Sequence, residues 1–190
     1  MTISKAFRGF IAAIVLSMSC SAAHALTVEH LDSKYRDRQY QLTLVAVIDA
    51  PRERVQDILR DYAHYPKLDA RIVEATVISR DGPHEVVLST KLRACFAVFC
   101  RTVKRVERVQ ERDNELLAKV LPAQSEVTSG ETHTQLQALG EQTRVSYSTS
   151  IAPGFWIPPL IGRALMLRTL REASLDLFRR VEHEAQRSAR

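Results

Sequence analysis

The segment that follows Ile157-Pro158-Pro159 imposes the strongest restriction on the fold. From there to about Gln186, apolar or small side chains recur every three or four residues, which is the spacing of one face of a helix. The other face carries charges of both signs, including Glu182, and this mixture favours packing on a sheet over lying on a membrane. The apolar face consists of Leu160, Ala164, Leu167, Leu170, Ser174, Leu177, Val181 and Ala185. The preceding residues must supply a surface that covers it.

Those residues show the pattern of β-strands. Apolar and polar side chains alternate from Tyr40 to Ile48, as in a strand covered on one face. After Cys100, valine recurs every third residue, and the β-branched content favours a bulged strand over a helix. The other predicted strands span residues 71–79, 85–96, 115–121, 126–138 and 142–151. Strands followed by one long helix predict an α+β fold with the helix across an antiparallel sheet.

Two prolines mark a helical region after the first predicted strand. Pro51 suits the first turn of a helix whose Val55, Ile58 and Leu59 face inward. Pro66 is expected to end this helical region, because a residue before proline avoids the helical conformation. Residues 26–37 are assigned to an N-terminal lead-in.

The N-terminus has the layout of a secretory signal peptide. A positively charged start precedes an apolar run from Phe10 to Met18, and small residues end at Ala25. The run is shorter than the roughly 20 apolar residues that a spanning helix needs. We therefore expect residues 1–25 to be removed and the mature chain to be periplasmic or secreted. Lipidation at Cys20 is the alternative, but Ser17 stands where a lipoprotein site usually has a branched aliphatic residue.

Removal of the leader deletes Lys5 and Arg8 and no acidic residue, so the formal net charge falls from +5 to +3. This mild charge, spread over intermixed acids and bases, gives no support to a nucleic-acid partner and is compatible with an anionic membrane surface. Residues 26–190 fit one domain, and we expect a monomer.

Cys95 and Cys100 are the two cysteines of the expected mature chain. An exported protein meets an oxidising environment, where disulfides persist. In a fully extended chain the two Cα atoms lie about 17 Å apart, so a disulfide requires the chain to reverse within residues 96–99. A four-residue loop between antiparallel strands supplies this reversal. We favour a disulfide-stapled hairpin over two separate buried thiols.

The tip of this hairpin admits two interpretations. Phe96 and Phe99 could project towards solvent, with Arg101 and Lys104 behind them, and contact a membrane surface or gate a cavity. Alternatively, both phenyl rings enter the core and the disulfide only staples the hairpin. The sequence leaves both interpretations open.

The stretch YQLTLVAVIDAPRERVQDILRDYAHYPKL, together with the C-terminal PPLIGRALMLRTLREASLDLF, resembles the START-like (SRPBCC) superfamily. That superfamily includes polyketide cyclases and coenzyme Q-binding proteins. The residues that carry the resemblance are Ile48, Ala50, Pro51, Glu53, Val55, Asp61, Tyr62, Tyr65 and Pro66. The resemblance implies a helix-grip (START-like, Bet v 1-like) fold over residues 38–186. In such a fold a curved antiparallel sheet wraps the long helix and leaves an apolar cavity.

The candidate ligand-binding residues follow from the resemblance and from aromatic content. The resemblance places Tyr62 and Tyr65 at the mouth of the cavity, and Phe155 and Trp156 lie in the proline-rich loop before the long helix. Such rings suit amphipathic lipids or ring compounds, with plugging of the core as the alternative role. The full predicted set is Tyr62, Tyr65, Leu88, Leu92, His133, Tyr147, Phe155, Trp156, Leu167 and Leu170.

Signals for catalysis are weak. The histidines form no metal-spaced pair, and the sequence contains no nucleophile elbow, phosphate loop or dinucleotide fingerprint. His133 shares a strand face with Glu131 and Gln135 and is the nearest approach to an acid–base residue, with a solvated face as the alternative. We expect no metal, no cofactor and no catalytic residue.

Three classes of function remain. The favoured one is an exported carrier that encloses a lipid, isoprenoid or polyketide-like molecule between sheet and helix. The second is a cyclase or dehydratase that uses the same cavity. The third is a protein-interaction module.

Overall fold

The computed structural model describes residues 26–96, 99–157 and 162–187, and these contain eight strands and three α-helices. The strands are β1 Thr27–Arg36, β2 Gln39–Ile48, β3 Ile72–Arg80, β4 Glu85–Phe96, β5 Phe99–Arg112, β6 Glu115–Val120, β7 Val127–Leu139 and β8 Gln142–Pro153. The helices are α1 Arg52–Arg60, α2 Tyr65–Leu68 and α3 Gly162–Arg187. All strands form one curved antiparallel sheet in the order β1-β2-β8-β7-β6-β5-β4-β3. The predicted α+β class is confirmed.

The long helix α3 packs across the part of the sheet that β2 and β8 form. Leu44 and Ile48 of β2 join Val145 of β8 and Phe178 and Val181 of α3 in one fully buried cluster. Burial of each such side chain contributes about 1.5–3 kcal/mol, so this cluster holds the helix on the sheet. The alternation predicted along β2 reflects this one-sided packing.

The predicted strands are all present, with two differences. β5 pairs with β4 and β6 without a shift of register, so the bulge predicted after Cys100 is wrong. β1, in the segment assigned to a lead-in, pairs with β2 at the edge of the sheet. Its side chains are exposed or half-buried, so the strand carries little of the apolar alternation that predicts a buried face.

The helical region after β2 differs from the prediction at Pro66. α1 begins directly after Pro51, as expected, and ends at Arg60. Pro66 then lies in the first turn of α2 and does not end a helix. A proline fits that position because the first-turn N–H groups of a helix have no intrahelical partner.

The buried face of α3 is wider than the predicted stripe. Ala164 is exposed, whereas Glu182, which the sequence assigns to the outer face, is only 6% exposed. Its Oε1 atom accepts a hydrogen bond of 3.0 Å from the backbone N–H of Asp49. The end of α3 contacts α1 as well as β2, and Arg54 Nη1 donates to the Ala185 carbonyl over 2.9 Å, so a second stripe of the helix is covered. Leu160 lies outside the described residues.

The hairpin of β4 and β5 confirms the predicted disulfide. Cys95 lies opposite Cys100 in the ladder, and the two Cα atoms are 4.0 Å apart. Phe96 and Phe99 form the last pair of the ladder, so the reversal is shorter than the predicted four-residue loop. Residues 97–98 and the side chains of Phe96 and Phe99 lie outside the described part of the chain, as does the predicted leader 1–25.

Candidate ligand-binding cavity

A cavity of about 460 Å³ lies between the inner face of the sheet and α3. Its volume falls in the range of small-molecule sites, roughly 300–1,000 Å³. Apolar side chains form most of its walls, because the lining positions of β6 and most of those of β4 and α3 carry apolar residues. The helix contributes Met166, Leu170, Ala173, Leu177 and Phe178, and the sheet contributes Leu88, Leu92, Val103, Val109, Leu116 and Ala118.

Five charged residues of the described chain interrupt this apolar lining: Asp69, Arg71, Arg93, Arg105 and Glu107. Arg105 and Glu107 occupy successive inward positions of β5, and Arg105 Nε lies 3.0 Å from Glu107 Oε2. The Glu107 side chain is 6% exposed and that of Arg105 is 20% exposed. The buried Nε of Arg105 nevertheless makes no hydrogen bond to any described residue. The pair therefore places a positive group with unused hydrogen-bonding capacity against the cavity.

Two tyrosines stand near this ion pair. The Tyr65 hydroxyl donates to the Leu59 carbonyl over 2.8 Å, and the Tyr147 ring meets the Phe178 ring edge-on with centroids 5.2 Å apart. Burial raises the pKa of Tyr65, and the Glu107 charge raises it further. Burial also raises the pKa of Tyr147. Both tyrosines are thus neutral hydrogen-bonding groups at physiological pH.

A strip of hydroxyl groups continues the polar surface along β7 and β8. Thr132 Oγ1 and Thr149 Oγ1 lie 2.9 Å apart and both residues line the cavity. Ser174 of α3, also a lining residue, donates to the Leu170 carbonyl over 2.9 Å. The cavity therefore combines aliphatic walls with the ion pair of β5 and this strip of hydroxyl groups, which suits a hydrophobic molecule with a polar end.

Six of the predicted ligand-binding residues line this cavity: Tyr65, Leu88, Leu92, Tyr147, Phe155 and Leu170. Leu167 does not, because the cavity-facing positions of α3 are those of Met166, Leu170 and Ala173, and Leu167 lies off that face. Trp156 is 78% exposed and stands outside. The actual binding of a ligand by any of these residues stays a prediction.

Tyr62 and His133 are also placed elsewhere. Tyr62 is 2% exposed and does not itself line the cavity, and its hydroxyl donates to Glu111 Oε1 over 2.7 Å. His133 contacts Glu115 on the outer face of the sheet, because its neighbours Thr132 and Thr134 take the inward positions. The expectation of Tyr62 at the cavity mouth, and of His133 in the cavity wall, is wrong.

Arg105 and Glu107 line the cavity but are not among the predicted ligand-binding residues. The signal that could have found them is the strict alternation along β5, which puts both residues on the same face as Val103 and Val109. Cys95 also lines the cavity, so the disulfide stands at its wall. No cluster of three potential metal ligands, and no helix long and apolar enough to cross a membrane, occurs in residues 26–96, 99–157 and 162–187.

Comparison with known proteins agrees with this architecture. Residues 39–182 match the family described as polyketide cyclase/dehydrase and lipid transport. The chain belongs to this family. No curated protein shows significant similarity to this family member.

Solved structures show the same fold at low sequence identity. The Zhui aromatase/cyclase of Streptomyces sp. R1128 is 14% identical, with a TM-score of 0.67 over 80% of this chain and 96% of the other. A START superfamily protein of Mycobacterium smegmatis is 17% identical, with a TM-score of 0.60 over 75% and 97%. A STAR-related lipid transfer protein of Xanthomonas axonopodis is 12% identical, with a TM-score of 0.61 over 82% and 98%. The helix-grip fold of this family member is thereby confirmed.

Proposed function

We propose that the protein is an exported carrier that encloses a hydrophobic small molecule with one polar end. The observation that carries the proposal is the cavity of about 460 Å³, walled by aliphatic side chains and containing the Arg105–Glu107 pair. A carrier needs only to shield its cargo from water, and apolar burial supplies the driving force. The family description, which includes lipid transport, supports this class of ligand.

Export is supported by two features of the chain. The first 25 residues have the layout of a cleavable leader, and Cys95 and Cys100 form a disulfide. A protein that carries a lipid or isoprenoid compound through an aqueous periplasm would need a cavity that shields the compound from water. Transient contact with a membrane surface would load and unload it.

A second candidate function, a cyclase or dehydratase, draws on the polar groups of the same cavity. Arg105 could stabilise a developing negative charge, and the neutral hydroxyls of Tyr65 and Tyr147 could donate hydrogen bonds. The structural likeness to an aromatase/cyclase is in line with this candidate. A carrier would return its cargo unchanged, whereas an enzyme would release a product of different mass or unsaturation.

The test is native mass spectrometry of the full chain, expressed with its leader and recovered from a bacterial periplasm. We expect a polypeptide that begins near Leu26 and carries a discrete extra mass, which organic extraction removes. Ala173→Phe should fill the cavity and abolish the extra mass. Ala164→Phe, at an exposed position of the same helix, is the matched control and should retain it. A bare polypeptide in the wild type, or retention of the mass by Ala173→Phe, would contradict the carrier proposal.

A further inference from the structure

A second cavity, of about 350 Å³, lies beside the first at the start of α3. The turn between β1 and β2, the loop that follows β8 and the first turn of α3 form it. We name it the outer pocket. The rings and guanidinium groups that define it belong to Tyr35, Tyr40, Phe155, Trp156, Arg38 and Arg163.

Positive charge predominates in the described lining of the outer pocket. Arg163 Cζ lies 4.4 Å from the centroid of the Tyr35 ring, and this cation–π contact fixes the guanidinium at the wall. Arg38 is exposed in the β1–β2 turn. None of the described lining residues is a carboxylate, and neither arginine forms an ion pair within the described part of the chain. Two guanidinium groups of this kind favour an anion with oxygen acceptors.

The outer pocket and the apolar cavity share a wall. Pro153 and Phe155 line both of them, and Phe155 is half-buried between the two. An elongated molecule that passes Phe155 would therefore have one end among aliphatic side chains and the other among arginines. The outer pocket thus adds two arginines outside the cavity to the Arg105–Glu107 pair inside it.

We infer that the outer pocket binds the anionic head group, a phosphate or a carboxylate, of an amphipathic lipid whose hydrocarbon chain enters the apolar cavity past Phe155. The inference rests on the proposed function, because the chain of the lipid occupies the cavity of the carrier. It adds the chemical class of the head group. It also gives Trp156, exposed at the rim, a place beside the glycerol or head-group region.

Trp156 is the single tryptophan of the chain and reports directly on this pocket. The full chain is titrated with dodecyl phosphate, dodecanol and inorganic phosphate, each amphiphile below its critical micelle concentration. Affinities come from calorimetry and pocket occupancy from tryptophan emission. We expect dodecyl phosphate to bind about tenfold more tightly than dodecanol, as one charge-assisted contact provides, and to shift the emission. Inorganic phosphate should bind far more weakly than dodecyl phosphate.

Two substitutions separate the head group from the chain. Arg38→Asn and Arg163→Gln should each weaken dodecyl phosphate about fivefold to tenfold and leave dodecanol unchanged. Asparagine suits the φ of 63° at position 38, so this variant keeps its fold even if loss of the Tyr35 contact harms Arg163→Gln. Lys119→Gln, an exposed charge removed on β6, is the matched control and should change neither affinity.

Four outcomes would overturn the inference. Equal wild-type affinity for the two amphiphiles, or equal weakening of both by the arginine variants, removes the role of the charge while leaving the carrier intact. If inorganic phosphate binds as tightly as dodecyl phosphate, the pocket is a free-phosphate site to which the hydrocarbon chain contributes no affinity. If neither amphiphile binds, the proposed carrier function fails together with the inference.

Discussion

Arg105 and Glu107 lie two residues apart on β5, and Arg105 Nε approaches Glu107 Oε2 to 3.0 Å inside a cavity with mostly apolar walls. Alternate residues of a strand share a face, so both charges are committed to the interior once β5 joins the sheet. The attraction between buried charges is largely offset by the loss of their hydration. Such a pair adds little net stability and much local polarity.

Removal of one partner of this pair should destabilise the protein strongly. Glu107→Gln leaves the Arg105 charge without its counter-ion, and we expect the free energy of unfolding to fall by about 3 kcal/mol. The double variant Arg105→Met/Glu107→Leu should unfold at nearly the wild-type urea concentration, because it removes both charges. Urea titrations followed by circular dichroism give these values. A double variant as unstable as Glu107→Gln would show that the pair itself stabilises the fold.

Loss of the disulfide should lower stability moderately. Cys95 and Cys100 are five positions apart, and closure of such a short loop in the unfolded chain is worth about 2 kcal/mol. Cys95→Ser/Cys100→Ser should therefore unfold at a lower urea concentration than the wild type. Wild-type protein in reductant should match the variant. Stability unaffected by reductant would mean that the bridge contributes nothing to the free energy of unfolding.

The Tyr62 hydroxyl should contribute through its bond to Glu111. Tyr62→Phe removes the 2.7 Å hydrogen bond to a buried carboxylate, and we expect a loss of about 1–2 kcal/mol in the free energy of unfolding. Arg60 and Arg80 lie farther away, at 3.8 and 3.7 Å from the carboxylate oxygens, and replace the bond only in part. Tyr35→Phe, which keeps its ring beside Arg163, is the control and should change thermal unfolding little.

Acid should weaken the link between β5 and β7 at Glu126. The backbone N–H of Lys104 and then the Arg101 guanidinium hold the pKa of Glu126 below its ordinary value. The unfolded chain therefore takes up this proton first, so the contribution is present above the ordinary glutamate pKa and is lost as pH falls. Glu126→Gln should flatten the decline of the urea midpoint between about pH 6 and pH 3. Glu131→Gln, at an exposed position of β7, should leave the decline as steep as in the wild type.

The sequence predicts the strands in which apolar and polar residues alternate and only one face packs on the apolar core. Val86 and Leu88 of β4 face inward as their spacing indicates, and the strand bounds agree to within a few residues. The alternation does not reveal β1, because this strand lies at the edge of the sheet, where neither face is buried enough to require apolar residues. The valines of β5 are misleading because Val106 is fully buried on the face opposite to Val103 and Val109.

The site is harder to predict than the fold. In the sequence Arg105 and Glu107 look like solvated residues, because the buried Val106 on the opposite face obscures the alternation that they share with Val103 and Val109. His133 is the opposite case, because the sequence predicts it in the cavity wall, whereas it lies on the outer surface. A shift of one residue along a strand moves a side chain from one face to the other. The outer pocket joins the β1–β2 turn, the end of β8 and the start of α3, and no local pattern brings these three segments together.

The strand order also bears on how the chain is made. On its inner side β2 pairs with β8. The β1–β2 hairpin therefore cannot join the rest of the sheet until β8, the last strand of the chain, has been synthesised. Until then, the apolar face of β2 and its unpaired backbone groups remain open to other chains. A truncated chain that ends before β8 cannot form a smaller sheet with the same strand order. The fold is therefore completed only when the whole chain is available. Factors that keep unfinished chains from associating with one another should favour its synthesis.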